Sequence, residues 1–179
     1  MIPRAILTAF DHYLAQRGLR LDAVVVGGAA LNLLGVISRP TKDCDVLHPA
    51  LPPAVAEAAR AFAAEIRAVG DMLSDDWLKN GPASLTSQLR AGWQDRLQPL
   101  LTGSALGLRT LGREDLLCSK LFALCDRGLD RDDCRALAPT RDELLSILPW
   151  LEQQDANPDW PAHVRATLDE LARSLGHGL

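Results

Sequence analysis

The fold is decided by the stretch VVVGGAALNLLGVISRPTKDCDVL, which runs from Val24 to Leu47. An apolar β-type segment leads into a Gly-Gly turn and a short helical segment, and a polar loop then leads to two aspartates separated by one residue. Successive side chains of a β-strand point to opposite faces, so the sequence predicts Asp43 and Asp45 on the same face. Adjacent carboxylates repel each other unless a cation lies between them, and Mg²⁺ is typically held by carboxylates together with substrate phosphates. The pattern therefore predicts a metal site at the start of the second strand.

The two glycines of this stretch, Gly27 and Gly28, lie directly after the apolar segment. Glycine lets the backbone come close to a ligand, and the amides at the start of a helix favour an anion. Either half of the pattern alone is weak evidence, because a Gly-Gly pair is often only a turn and an Asp-x-Asp pair is often a solvated strand end. The two halves together predict a site for phosphate and metal.

In this order, with fifteen positions from Gly28 to Asp43, the two motifs resemble the signature of the DNA polymerase β-type nucleotidyltransferases. The form GGAALNLLG…RPTKDCD is most similar to the abortive-infection (AbiEii-like) toxin group, which carries a Thr-x-Asp-x-Asp version of the motif, here beginning at Thr41. The resemblance implies a nucleoside triphosphate donor and Mg²⁺ or Mn²⁺ as the cofactor. It implies Asp43 and Asp45 as catalytic metal ligands, with Gly27, Gly28 and Thr41 at the nucleotide. The acceptor differs between relatives and includes the tRNA 3′ end, proteins and small molecules.

A second region whose residues could take part in a reaction is LGREDLLCSKLFALCDRGLDRDDCRALAPT, residues 111–140. Lys120 and Arg127 lie seven residues apart and are predicted to share a helical face, and Asp132 and Asp133 are predicted to begin the next helix, where carboxylates complement the dipole. On charge alone this region is an ordinary solvated helix face. The AbiEii-like group, however, has a Lys, an Arg and then an Asp at matching positions, and its mid-chain Trp-Leu-Asn appears here imperfectly as residues 77–80.

The resemblance therefore gives this second region a role in the reaction. It implies that Lys120 neutralises the triphosphate, assisted by Arg39 or Arg127. It also raises the possibility of an antitoxin partner or a role in phage defence.

A third carboxylate is missing from the place where many polymerase β-type enzymes carry one. The two later predicted strands, 96–101 and 105–111, contain no acid. Either Asp132 or Asp133 supplies the third acid, with Asp76 as a weaker candidate, or the chain binds nucleotide without efficient transfer. The alternative to an enzyme is thus a degenerate nucleotidyltransferase that serves as a nucleotide-binding or protein-interaction module. A dinucleotide-binding fold is disfavoured because no GxGxxG follows the first strand.

Composition limits the remaining classes of function. The net charge is −4 and no block of Lys and Arg occurs, which argues against a dedicated nucleic-acid-binding surface. The basic residues between 109 and 135 are scattered over helical positions. No apolar run approaches the length of a membrane span, and the N-terminal segment lacks a cleavage site, so we expect a cytoplasmic protein with no membrane association. The four cysteines show no CxxC pair and are predicted to be reduced and buried, with Cys44 on the face opposite the aspartates.

The predicted architecture is an α+β fold with a small mixed sheet, flanking helices and a helical C-terminal half. Residues 1–111 are predicted to form the nucleotidyltransferase core, and residues 112–179 a helical extension packed on it. Glycines, prolines and apolar spacing divide the chain into elements. The predicted strands are 21–26, 43–47, 96–101 and 105–111, and the predicted helices are 3–18, 29–34, 53–68, 113–127, 130–137, 140–154 and 161–175. Residues 70–95 are predicted to be irregular or briefly helical.

Overall fold

The computed structural model of the chain describes residues 4–81 and 84–178. Contacts within the chain divide it into two compact units. The first unit comprises Met1–Ser87 and Gln94–Leu111, and the second comprises Gln88–Trp93 and Gly112–Leu179.

The first unit is built on a mixed sheet, which in the described residues has five strands in the order β3-β2-β1-β5-β4. β1 is antiparallel to β2 and parallel to β5, β2 is parallel to β3, and β4 is antiparallel to β5. The central strand β1 is buried over Ala23–Val26, as its run of small and β-branched apolar residues predicts. The strands are β1 Leu21–Val26, β2 Cys44–His48, β3 Leu78–Asn80, β4 Gln98–Thr102 and β5 Leu106–Thr110. The mixed sheet with its helices confirms the predicted α+β class.

The helices of the first part of the chain are α1 Arg4–Gln16, α2 Gly27–Leu33, α3 Pro53–Ala68 and α4 Leu85–Gln88, followed by a 3-10 turn at Trp93–Arg96. α1 and α3 contribute aromatic rings to the core of the first unit. Phe10 of α1 lies 5.2 Å from Phe62 of α3 and 5.1 Å from Trp77, measured between ring centroids. Trp77 is fully buried and donates its indole N–H to the carbonyl of Ala59 at 3.1 Å. This cluster fixes the segment that leads into β3.

The strands β4 and β5 differ from the prediction by one or two residues at their ends, and three further differences in the first unit concern the site. α2 begins at Gly27 rather than at residue 29, because the two glycines form its first turn and no separate turn precedes it. β2 begins at Cys44, so Asp43 is the residue before the strand and only Asp45 lies within it. β3 lies inside the segment 70–95 that was predicted to be irregular, and its three residues are too few to show strand alternation in the sequence.

In the second unit the described residues form four longer helices, α5 Arg113–Arg127, α6 Arg131–Leu137, α7 Arg141–Leu151 and α8 Trp160–Ser174. α5 ends at Gly128, whose φ of 66° requires a residue without a Cβ penalty. α7 begins with a capping box in which Thr140 and Glu143 exchange hydrogen bonds. The predicted helices are confirmed, although α7 ends three residues earlier than expected, at Leu151 rather than at Gln154. None of the helices in the described part of the chain is long and apolar enough to cross a bilayer.

Candidate functional site

Gly27 and Asp45 approach each other closely at the end of the central strand pair. β1 and β2 are antiparallel, and Val26 lies opposite Asp45 in their register. A Cβ atom added to Gly27 would lie 3.1 Å from Oδ2 of Asp45, and the φ of Gly27 is 77°. Both the close approach and the positive φ favour glycine here. The first glycine of the motif is therefore in contact with the second aspartate, as expected of one shared site.

The polar loop before Asp43 folds back onto the second glycine. A Cβ atom added to Gly28 would lie 2.8 Å from Cγ2 of Thr41 and 3.6 Å from the guanidinium nitrogens of Arg39. Asn32 of α2 holds this loop by donating its side-chain amide to the carbonyls of Ile37 and Arg39, each at 3.2 Å. The fold thus brings together the sequence-predicted residues Gly27, Gly28, Arg39, Thr41 and Asp45.

Thr41 is the one residue of this loop that is nearly inaccessible, with 6% of its surface exposed. Its hydroxyl oxygen is buried and has no hydrogen-bond partner among the described residues. A buried hydroxyl without a partner is costly, and such groups in native proteins call for a ligand, a water or a functional explanation. The fold thus leaves one enclosed and unsatisfied hydroxyl in the loop that packs on Gly28.

Asp43 and Asp45 are both partly exposed, and the residue between them is not. Cys44 is fully buried in the core of the first unit, which confirms that it lies on the opposite face. Burial, with a further contribution from the charges of Asp45 and Asp43, raises the pKa of the Cys44 thiol to about 12. The thiol is consequently neutral at physiological pH and serves as a packing group, while the carboxylates face outward.

Lys79 is the residue that sequence analysis missed. Its ammonium donates to Oδ2 of Asp43 at 2.5 Å, and β3 places Lys79 opposite Asp45 in the parallel register with β2. The hydrogen bond to Asp43 raises the pKa of Lys79; burial acts in the opposite direction, and the charges of Asp43, Asp45 and Asp76 reinforce the rise. The side chains of Lys79 and Asp43 are 39% and 42% exposed, and a pair this accessible contributes about 1 kcal/mol or less. The only signal in the sequence was the imperfect Trp-Leu-Asn match, in which Lys79 is the inserted residue.

Two pockets of the first unit border these residues. The larger, about 680 Å³, is lined by the loop residues just before Asp43 and by the segment after α3. Its lining residues are Pro40, Thr41, Lys42, Arg67, Met72, Leu73, Ser74 and Asp75. The smaller, about 270 Å³, includes Asp76 and Lys79 in its lining. Only the larger pocket falls in the size range of about 300–1,000 Å³ that is usual for small-molecule sites.

Four of the sequence-predicted residues lie in the second unit. The ammonium of Lys120 is 2.8 Å from Oδ2 of Asp133 and 3.0 Å from Oδ2 of Asp130, and both Lys120 and Asp133 are buried. Asp132, the neighbour of Asp133 in the first turn of α6, is exposed. Arg127 is also exposed and pairs with Asp126 at 3.2 Å. Lys120 and Arg127, which were predicted to share a helical face, thus have different surroundings: Asp130 and Asp133 enclose Lys120, whereas Arg127 lies in solvent.

Two further arginines of this region are paired with glutamates. Arg113 donates to both carboxylate oxygens of Glu143, at 2.6 and 3.0 Å, and Arg131 does the same with Glu170, at 2.9 and 3.3 Å. These contacts support the interpretation of a solvated helix face on which arginines pair with glutamates.

The four cysteines are free and buried, as predicted. No cluster of three or more His, Cys, Asp or Glu suited to a metal occurs among residues 4–81 and 84–178.

No acid lies on the strands that could complete the Asp43–Asp45 pair. The sequences of β4 and β5 are QPLLT and LGLRT, and β3 contributes only Leu78, Lys79 and Asn80. The third carboxylate predicted from the resemblance is thus not provided by the later strands of the first unit.

Comparison with known proteins identifies a family. Residues 5–138 match the model of the family described as "Nucleotidyltransferase of unknown function (DUF6036)". The match extends over the glycine and aspartate motifs and over the Lys120–Asp133 region. No curated protein and no solved structure matches the chain.

Proposed function

The chain belongs to this family of nucleotidyltransferases, and on that premise we propose that it transfers a nucleoside monophosphate from a nucleoside triphosphate to an acceptor in a reaction that depends on Mg²⁺ or Mn²⁺. The observation that carries the proposal is the contact of Gly27 with Asp45 and of Gly28 with Thr41. These are the residues on which the nucleotidyltransferase resemblance rests, and they meet at one place.

The residues present fit a divalent metal. Two carboxylates one residue apart are hard oxygen ligands of the kind that Mg²⁺ prefers, and the carboxylate of Asp45 lies close to Gly27 at the start of α2. Asp43 and Asp45 would hold the ion. When bound, a divalent ion would supply positive charge for the triphosphate and for the departing pyrophosphate.

The remaining roles fall to groups of the first unit. Gly27 and Gly28 form the first turn of α2, where the first amides of a helix lack partners within the helix and can donate to phosphate oxygens. Thr41 packs its methyl group against Gly28 and so holds the loop at the start of α2. Arg39, whose guanidinium is directed toward Gly28, can add bidentate contacts to phosphate. Positioning and electrostatic stabilisation make up most of what phosphoryl-type transfer requires of a protein.

The larger pocket is the place where we expect the body of a substrate to bind. It includes Thr41 and Lys42, so it borders both the loop that packs on Gly28 and the residue before Asp43. Lys42 is exposed and makes no ion pair within the described residues, which leaves its charge for an anionic substrate. The proposed acceptors are an RNA 3′ end, a protein or a small molecule, and a toxin or phage-defence role with an antitoxin partner follows from the resemblance.

A second candidate function is a nucleotide-binding or interaction module without transfer activity. The absence of acids on β3, β4 and β5 favours it, since the pair of carboxylates then has no third partner. Binding of nucleotide without release of pyrophosphate distinguishes this candidate from the enzyme.

The test is a labelling assay with each α-labelled nucleoside triphosphate, Mg²⁺, and total cellular RNA or protein as the acceptor. We expect one acceptor class to become labelled with stoichiometric pyrophosphate release, and Asp45→Asn to abolish both while the melting temperature stays within a few degrees. Asp71→Asn, which removes an exposed acid of the same unit, is the matched control. Equal activity of Asp45→Asn and the unmodified protein would contradict the proposal.

A further inference from the structure

The feature that neither the resemblance nor the family explains is the contact between Lys79 and Asp43. A lysine on the edge strand β3 donates to the carboxylate at 2.5 Å, on the side of the sheet where the second carboxylate also lies. We propose that Lys79 is a built-in counter-cation, which neutralises Asp43 in the metal-free protein and releases it when a divalent cation binds. This inference rests on the proposed function, because it takes Asp43 as a metal ligand.

The need for a counter-cation follows from the two carboxylates themselves. Asp43 and Asp45 are one residue apart and carry like charges, which destabilise each other unless a cation is near. The parallel register of β2 and β3 places Lys79 opposite Asp45, so the backbone fixes the lysine at the pair. In the metal-free protein, Lys79 is the cation in contact with Asp43.

Release of Lys79 requires only a side-chain movement. The two side chains are 39% and 42% exposed, so breaking their contact exposes no core. Lysine is a point charge on a flexible four-carbon stem and can rotate without moving its strand. Asp76 lines the same small pocket of about 270 Å³ as Lys79, and offers the released ammonium another carboxylate. The geometry thus allows an exchange of cations at Asp43.

A counter-cation and a purely structural lysine predict opposite effects on metal affinity. If Lys79 competes with the metal, its removal makes the metal bind more tightly. If Lys79 instead supports the geometry of the site, its removal makes the metal bind more weakly or leaves the affinity unchanged.

The first experiment is a calorimetric titration of the full chain with Mn²⁺, without nucleotide. Lys79→Met is expected to bind Mn²⁺ about three- to tenfold more tightly than the unmodified protein, because a half-exposed ion pair no longer opposes binding. Lys79→Arg keeps a cation and is expected to stay within about twofold of the unmodified protein. Arg60→Met is the matched control: it removes an exposed cation of the same small pocket that makes no ion pair within the described residues.

The outcomes separate this inference from the proposed function. Equal or weaker binding by Lys79→Met, or an equal gain in Arg60→Met, overturns the role of Lys79 while leaving the metal site in place. Absence of saturable Mn²⁺ binding in both the unmodified protein and Lys79→Met contradicts the metal site itself, and this inference with it.

A second experiment needs no substitution, because the chain has three lysines that the structure places in different surroundings. Lys42 is exposed, Lys120 is buried between two aspartates, and Lys79 is held by Asp43. Brief acylation followed by mass spectrometry is expected to show that Mn²⁺ increases labelling of Lys79 relative to Lys42, while labelling of Lys120 stays low. Labelling of Lys79 that is unchanged or reduced by Mn²⁺ would overturn the inference.

Discussion

At the scale of single residues, the tightest constraint at the candidate site is the space between Gly28 and Thr41. A Cβ atom at residue 28 would lie 2.8 Å from Cγ2 of Thr41, closer than such atoms approach in practice. Gly28→Ala is therefore expected to destabilise the chain by about 1–3 kcal/mol through overpacking, measured by denaturant unfolding. Thr41→Ser removes the colliding methyl group, so the double variant Gly28→Ala/Thr41→Ser is expected to recover most of this loss.

The control for this double-mutant cycle is Gly178→Ala, since a Cβ atom there would meet no atom within 4 Å. It is expected to leave the free energy of unfolding unchanged. Additive effects of Gly28→Ala and Thr41→Ser would show that the two residues do not touch, and would remove the loop from the site.

At the scale of elements, α1 is tied to the β4–β5 turn by one buried carboxylate. Asp11 accepts hydrogen bonds from the amides of Ala105 and Leu106 at 2.7 Å each, and from both the amide and the hydroxyl of Ser104 at 3.1 Å. Burial alone would raise the pKa of Asp11, but the hydrogen bonds from these amides outweigh it and lower the pKa from 3.8 to about 2. The turn is thus held by an ionised carboxylate.

This shift predicts how stability depends on pH. The folded pKa lies below the unfolded one, so the contribution of Asp11 is present in full above about pH 4 and is lost as the pH falls toward 2. Its size is about 2 kcal/mol, from the difference between the two pKa values. Asp11→Asn is expected to lower stability at pH 7 by a similar amount and to flatten the dependence between pH 5 and 2, measured by urea unfolding at each pH. A variant with the same acid dependence as the unmodified chain would contradict the assignment.

The elements also show what the sequence could and could not predict. The strand Leu21–Val26 was predicted to its end residues because a run of apolar β-branched side chains and a following Gly-Gly pair mark both of its limits. β3 was missed because three residues carry no alternation, and Lys79 was missed with it. The burial of Lys120 was missed for a different reason: helical spacing defines which residues share a face, but not which acids from the next part of the chain cover it.

At the scale of the whole molecule, the sequence-predicted acids Asp132 and Asp133 belong to the second unit, where their surroundings differ. Asp133 is 2% exposed and accepts from the Lys120 ammonium at 2.8 Å, whereas Asp132 is exposed. A buried ammonium needs a carboxylate beside it, so these contacts give Asp133 a structural role. The third catalytic acid that the resemblance assigns to Asp132 or Asp133 stays a prediction.

The different surroundings of the two acids predict different results for matched substitutions. Asp133→Asn is expected to lower the free energy of unfolding by about 1–3 kcal/mol, because it removes the charge that balances buried Lys120. Asp132→Asn is the matched control: it removes an exposed carboxylate in the same helical turn and is expected to cost about 1 kcal/mol or less. Urea unfolding of both variants checks these expectations. A loss of stability in Asp132→Asn as large as that in Asp133→Asn would contradict the structural role of Asp133.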